Sequence, residues 1–447
     1  MKIPTHKYLI SVKDMILYGI LLFYPFLGVY RGLSATNKQG AGFLFFIVYL
    51  STFIFFLYYR RYKIIVFKQG SLAVIFFIVL ITIGYCQYLL YGNMSLGKSP
   101  PIFVPLVLFL VYVLISTVKE KLNPFEILKF MFYSYLLFFC INIILYFLGI
   151  SFLVEENCNE GFHQNILASM DRGSLPLFMH AVETSEGGFL AIAIAYILLL
   201  NVRNNMYFKV IFSTVMVLGL YAILLGGSRT ALIGTIMLLL IGISKLYRSK
   251  KINLIILSLL FFFPFWYTPL VSYLGDSDIA SIFSRLSRTG DYMEVLTLNN
   301  RTEIWSHTFS SYIDNIDILH LLFGYGYGGQ SPSGIAASFT YIFSFSPGGP
   351  GYETMHVHNS TLQVLIDYGI VGVALFAHIL FRLLIFFSLN KNYEVNMLLF
   401  VFMLIGAFGI APVQFSYFSV FLFSLMVLFL DKSFVAQDVI KNKILAD

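Results

Sequence analysis

His356-Val357-His358-Asn359-Ser360-Thr361-Leu362-Gln363 closes a polar interval that opens at Ser272, and a new apolar run begins at its last residues. Another apolar run, 252–271, ends where the interval starts. The interval therefore reads as an extramembrane segment held between two membrane spans, and this junction decides how the rest of the chain is read.

Working outward, the whole chain has the composition of a bilayer protein. Of its 447 residues 59% are hydrophobic, 18% aromatic and only 11% charged, whereas about a quarter of the residues of an ordinary soluble domain carry charge. Runs of roughly twenty apolar residues can cross a hydrocarbon core of about 30 Å. Twelve are found, near 14–30, 41–59, 71–91, 101–118, 128–150, 187–202, 208–226, 229–246, 252–271, 359–387, 396–413 and 415–430. The first follows Lys2, Lys7 and Lys13, lacks a small-residue cleavage site and contains Pro25, so it reads as a retained span. The expected fold is an all-α polytopic membrane protein, a single membrane domain over 1–447.

Lys and Arg fix the orientation, because cytoplasmic connections carry their excess. With the N-terminus in the cytoplasm, 21 of the 29 basic residues fall on the cytoplasmic side and 8 outside. Both termini are thus expected in the cytoplasm. The net charge of +7 reflects basic loops beside an anionic inner leaflet and gives no support for nucleic-acid binding. Cys86 and Cys140 fall in expected spans and Cys158 alone lies outside, so no disulfide framework is implied.

Two outer segments are long enough for chemistry, 154–186 and 272–357, the second 86 residues long. A loop of that length is expected to contain helices of its own. Ile304, Trp305, Thr308, Phe309, Tyr312 and Ile313 recur at helical spacing and predict a helix over 301–313. Ser331-Pro332-Ser333-Gly334 and Ser346-Pro347-Gly348-Gly349-Pro350-Gly351 read as irregular chain suited to a lid or entry loop.

Three groups of residues could carry chemistry. Gly226-Gly227-Ser228-Arg229-Thr230 joins two spans so tightly that Arg229 must sit at the outer membrane boundary. An arginine there either snorkels to the headgroups or is paired. The adjacent glycines allow close backbone approach, and a guanidinium fork suits phosphate oxygens. Arg301 lies in Asn300-Arg301-Thr302-Glu303-Ile304-Trp305, where a salt bridge to Glu303 is the plain alternative to a binding role. His356 and His358 form His-x-His, readable as metal ligands, a polar cap or a general base. No HExxH, paired CxxC or DxD run accompanies them, which favours a base at the membrane rim and no metal.

Gly324-Tyr325-Gly326-Tyr327-Gly328-Gly329 follows no βαβ unit, so the dinucleotide fingerprint is rejected. It reads as a turn whose Tyr325 and Tyr327 either stack on sugar rings or pack against the loop helix. Glu183, Glu186 and Asp367 are supporting partners of the site or solvated carboxylates.

Gly227-Ser228-Arg229-Thr230, Asn300-Arg301-Thr302-Glu303-Ile304-Trp305, Leu322-Phe323-Gly324-Tyr325-Gly326 and His358-Asn359-Ser360-Thr361-Leu362-Gln363, with Gly369 and Gly372 beyond, together resemble the O-antigen ligase and O-antigen polymerase superfamily. The likeness covers roughly 187–430; before that, only hydropathy is shared. It departs from the family pattern at Leu362, where members commonly carry a bulky aromatic. The resemblance implies a GT-C-like, metal-independent, inverting glycosyltransferase of the bacterial inner membrane, acting at the periplasmic face on an undecaprenyl-diphosphate-linked glycan, with no cofactor. It implies that Arg229 and Arg301 hold the diphosphate and His358 assists the acceptor hydroxyl, with His356, Glu303, Tyr325, Tyr327 and Asn359 in support. The expected partners are the lipid-linked donor, a lipid-linked glycan or lipid A-core acceptor, membrane lipids and a chain-length co-polymerase. A repeat-unit polymerase is preferred and an O-antigen ligase is the alternative. A lipid-linked oligosaccharide transporter would place its polar residues near the midplane, whereas here they gather at one face.

Overall fold

The structure, a computed structural model, describes residues 72–91, 124–150, 173–178, 181–202, 205–275, 297–298, 300–315, 317–343, 355–389 and 393–409, together with Pro25, Leu422 and Leu425. The expected spans at 14–30, 41–59, 101–118 and 415–430 lie outside these residues but for Pro25, Leu422 and Leu425. Cys158 and the 346–351 cluster lie outside them altogether.

Among the described residues the chain is helical and without β-strand. The helices are α1 (Leu72–Tyr91), α2 (Pro124–Phe147), α3 (Ala181–Asn201), α4 (Met206–Gly226), α5 (Arg229–Ile243), α6 (Lys250–Phe261), α7 (Phe263–Gly275), α8 (Arg301–Asn315), α9 (Ile318–Phe323), α10 (Ser360–Leu389) and α11 (Asn396–Phe408). Four of them, α2, α3, α4 and α10, are long and apolar enough to cross a membrane, and a bent pair makes a fifth candidate. The chain is a membrane protein. Its α4 shows the lipid-facing pattern directly: Val210, Val217 and Leu224, seven residues apart, are 57%, 67% and 58% exposed, an apolar stripe that lipid tails can cover.

Helix α3 is the buried centre, with Phe189 to Ala195 all nearly inaccessible. It packs closely on α4, where a Cβ on Gly188 would lie 2.5 Å from the carbonyl oxygen of Gly219 and one on Gly219 2.8 Å from that of Gly188. Such small-residue contacts let two membrane helices approach backbone to backbone. The α4–α5 turn is as tight as expected. Gly227 ends α4 in the left-handed region (φ 64°, ψ 29°), and the Ser228 Oγ accepts the Ala231 N–H to cap α5.

Two expected spans are not single helices. The run 252–271 is broken between α6 and α7, which meet at 71°. Pro264 has no N–H to continue the ladder and its ring crowds the preceding turn. The carbonyl of Leu259 freed at the break is taken by the Trp266 indole N–H at 2.8 Å. The second case is α10, which is interrupted at Gly369 (φ 64°, ψ −166°). Residues 360–368 form a short helix before the break. Residues 370–389, at 1.5 Å per residue about 30 Å long, suffice alone to cross the bilayer.

The glycine-tyrosine turn explains that interruption. The Tyr325 and Gly326 N–H groups donate to the carbonyls of Ile366 and Asp367, each at 2.9 Å. At the crossing, a Cβ on Gly324 would meet the Asp367 backbone at 2.3 Å, and one on Gly369 would meet the Leu322 backbone at 2.4 Å. Both glycines have φ and ψ values open essentially to glycine alone. Alanine at either position should cost about 2–6 kcal/mol from strain and overpacking, since backbone cannot move aside. Gly334→Ala, at φ 76° with nothing within 4 Å of the added methyl, should cost only about 1 kcal/mol. Thermal unfolding of the three variants tests the difference; equal shifts would refute the crossing as its cause.

Ser331 to Gly334, expected as irregular chain, form compact turns. The Ser333 N–H donates to Gly329 O at 3.1 Å and the Ala336 N–H to Gln330 O at 2.7 Å. Gln330 is buried there, bonded to Met355 O and accepting from Gln363 Nε2 at 2.7 Å. The Gln363 amide also donates to Asp367 Oδ1 at 2.8 Å, which accepts the Gly329 N–H at 2.9 Å. Asp367 is therefore a buried tie between the turn and α10, not a solvated carboxylate.

Candidate active site

The site is built where α8 meets the histidine segment. Periodicity predicts a helix over 301–313, and α8 occupies 301–315. Its start is set by Asn300 in the left-handed region (φ 64°), with the Asn300 N–H donating to Thr297 Oγ1 at 3.1 Å. Asparagine tolerates that backbone better than most residues. Arg301 is thereby the first residue of the helix.

One turn on, Trp305 is fully buried. It packs edge-on against Phe263, with ring centroids 5.7 Å apart. Its indole N–H donates to the carbonyl of Val357 at 2.8 Å. Val357 lies between the two histidines, so the same helix that carries Arg301 grips the backbone that carries His356 and His358. The Val357 N–H faces Gln363 Oε1 at 3.4 Å. Asn359 is buried as the cap of α10: its Oδ1 accepts the Leu362 N–H at 2.9 Å and its Nδ2 donates to Ala407 O at 3.0 Å. Ser360 Oγ donates to Gly409 O at 3.0 Å. The start of α10 is thus tied to the end of α11 by two adjacent residues.

Held in this way, His358 adopts φ 51°, a left-handed conformation rarely taken by non-glycine residues and one that clusters at functional sites. The rings of His356 and His358 stand 4.2 Å apart. Burial first, then the like charge of His356, then that of Arg301, hold the His358 imidazole well below the usual histidine range. The ring is therefore neutral at neutral pH and able to accept a proton.

Arg301 lies 5.9 Å over the Phe408 ring and lines a small cleft with Glu186, Ser228, Thr230, Phe189 and Phe408. Burial lowers its pKa to about 10, and the charge of Glu186 opposes that shift. It remains a cation at neutral pH. Arg229 is half-buried between Ser228 and Thr230, at the first position of α5.

The structure thus brings together Arg301, His358, His356, the Asn359 cap and the turn that carries Arg229. Other expected residues lie elsewhere. Glu303 accepts from Tyr341 Oη, which also meets His307 Nε2 at 2.9 Å; the carboxylate that shares a cleft with Arg301 is Glu186. Tyr325 stacks on His320 at 4.1 Å and 12°. Tyr327 packs against the membrane-helix core, its N–H donating to Gly84 O at 3.2 Å. Among the described residues no three His, Cys, Asp or Glu side chains gather as a metal-binding group.

Glu186 was expected to lie ahead of a span beginning at 187, as a supporting partner of the site or a solvated carboxylate. The helix begins at Ala181, so Glu183 and Glu186 lie within its first two turns. A carboxylate inside a membrane helix is a functional signal in its own right.

No curated protein matches the chain. Residues 214–377, a segment from α4 into α10 that contains Arg229, Arg301 and His358, match the family model described as O-antigen ligase, which places this segment in the O-antigen ligase and polymerase superfamily.

Proposed function

We propose that the protein transfers a glycan from an undecaprenyl-diphosphate donor to a sugar hydroxyl at the periplasmic face of the inner membrane, with inversion and without a metal or cofactor. The observation that carries this reading is the tie from Trp305 to Val357, which fixes the helix that begins with the half-buried Arg301 against the backbone that carries the neutral, backbone-strained His358. The acceptor hydroxyl attacks the anomeric carbon and gives its proton to His358. The bond from that carbon to the diphosphate oxygen breaks, and the electron pair leaves with the diphosphate. Negative charge grows on the leaving group, so fixed positive charge there stabilises the transition state more than the ground state. Arg301, with Arg229 across the α4–α5 turn, supplies it.

The acceptor is another lipid-linked repeat unit, which makes the enzyme a polymerase assisted by a chain-length co-polymerase. The ligase reading, with lipid A-core as acceptor, is favoured by the description of the matching family model. Purified protein given lipid-linked repeat units alone should form dimers and longer chains. Product that appears only when lipid A-core is added would instead make it a ligase, and no transfer to either would defeat the reading.

The same proposal sets twelve spans with both termini in the cytoplasm. A cysteine introduced near Asp447 should be labelled only in opened cells, and one introduced at Ser306, exposed on α8, in intact spheroplasts. The reverse pattern would overturn the orientation.

A further inference from the structure

The two tyrosines expected to stack on sugar rings are engaged elsewhere: Tyr325 lies flat on His320, and Tyr327 packs against the membrane helices. Tyr341 is different. Its ring is 56% exposed, on the 3₁₀ turn Ile335–Phe343 that packs against α8. Its hydroxyl is held from two sides, donating to Glu303 and meeting His307 Nε2 at 2.9 Å, while the His307 and Tyr341 rings stand edge to face with centroids 5.7 Å apart. The bond to Glu303 pushes the Tyr341 pKa up to about 12, so the hydroxyl keeps its proton. With that proton given to the carboxylate, His307 Nε2 is the donor to Oη, and Nδ1 is left as an acceptor in the neutral ring. Hydrogen bonds this exposed add little to stability. They fix an aromatic face at the surface, so a ligand that stacks on it gives up less side-chain freedom.

Glu303 and His307, four residues apart, share one face of α8, two residues out of step with Arg301 and Trp305. Two residues turn a helix through about 200°, which sets the tyrosine cluster across α8 from the arginine. We propose that Tyr341, Glu303 and His307 form a subsite for an uncharged sugar ring of the lipid-linked glycan, remote from the bond that reacts. This rests on the reading of the protein as a glycan transferase. The C–H face of a pyranose carries slight positive charge and suits the negative face of the phenol ring. Hydroxyls at the edge of the same sugar can donate to the Glu303 carboxylate and to His307 Nδ1. A carboxylate fixed there disfavours a uronic acid or a phosphorylated sugar at this point of the chain.

The test is titration of the purified full chain with the oligosaccharide that mild acid releases from the lipid-linked repeat unit. This probe has neither lipid nor diphosphate, so Arg301→Ala should bind it as the wild type does. Tyr341→Leu keeps an apolar side chain without the aromatic face and should bind it about three- to tenfold more weakly. Tyr341→Phe keeps the ring beside His307 and should recover most of that loss. In steady-state kinetics Tyr341→Leu should raise KM for the lipid-linked repeat unit with kcat near the wild-type value, as when binding common to ground and transition state is lost. Equal weakening in the leucine and phenylalanine variants overturns the proposal, because a cluster that only staples the 3₁₀ turn to α8 loses both hydrogen bonds in either one. So does an absence of saturable binding by the wild type, or its loss in Arg301→Ala. If the leucine variant does not survive purification, Tyr341→Ala is titrated in its place, with the same outcomes. Transfer that proceeds while binding is indifferent to position 341 sinks the subsite alone; ring-dependent binding in a protein that performs no transfer sinks the transferase reading and leaves the sugar subsite standing.

Discussion

Replacing His358 with alanine is expected to lower turnover about 10²–10⁴-fold, the usual contribution of a general base, while donor binding stays near the wild-type level because the arginines are untouched. His356→Ala should be much milder, since His358 directly precedes the Asn359 cap and is fixed by the Trp305 and Asn359 bonds on either side of it. The pH profile carries the sharper check. A base works in its neutral form, and the His358 imidazole is held well below the ordinary histidine range by burial, His356 and Arg301. The rate in kcat/KM should therefore stay flat through neutrality and fall only below about pH 6.5, the ordinary histidine value. Removing His356 takes away one like charge and should move that acidic limb upward. Activity should persist in a chelator. A near-normal His358→Ala, or turnover abolished by chelation and restored by zinc, would end the assignment.

How much of this could be read from the residues differs from element to element. The α8 helix was legible because its apolar residues repeat at 3.6, and the tight α4–α5 turn because Gly226 and Gly227 interrupt an apolar run. The break between α6 and α7 was not, because hydropathy averages over Pro264 and sees twenty apolar residues whether or not they form one helix. The start of α3 was placed late for the opposite reason. Glu183 and Glu186 lower the hydropathy of a helix that nonetheless continues, since Glu186 faces the cleft and not lipid.

The deepest gap concerns contacts between distant residues. Gly324 needs its conformation because of Asp367, and Gly369 because of Leu322, yet each glycine alone reads only as a turn. The link from Trp305 to Val357 crosses 52 positions, and nothing in the local pattern of either residue announces the other. Sequence named Arg301 and His358 separately; the indole hydrogen bond is what makes them neighbours.

The second large effect is expected at Arg301. Alanine there should cost about 10²–10³-fold in kcat/KM, the scale seen when one donor to a developing anion is removed, and lysine should recover little of it. Two physical reasons converge on the lysine result. A guanidinium presents a planar fork that can bind two phosphate oxygens at once, whereas an ammonium is a point charge. The cleft also disfavours charge: burial already brings the arginine down to about 10, and arginine starts from a far higher value than lysine. The same burial acting on a lysine would take it towards neutrality, so the substitution loses the fork and part of the charge together. The Phe408 ring, 5.9 Å from the guanidinium, supports a flat cation better than a compact one. Donor KM and kcat measured for Arg301→Ala and Arg301→Lys, with melting curves to confirm folding, decide the matter. A lysine variant with wild-type kcat/KM would show that simple positive charge suffices and would remove the bidentate fork from the mechanism.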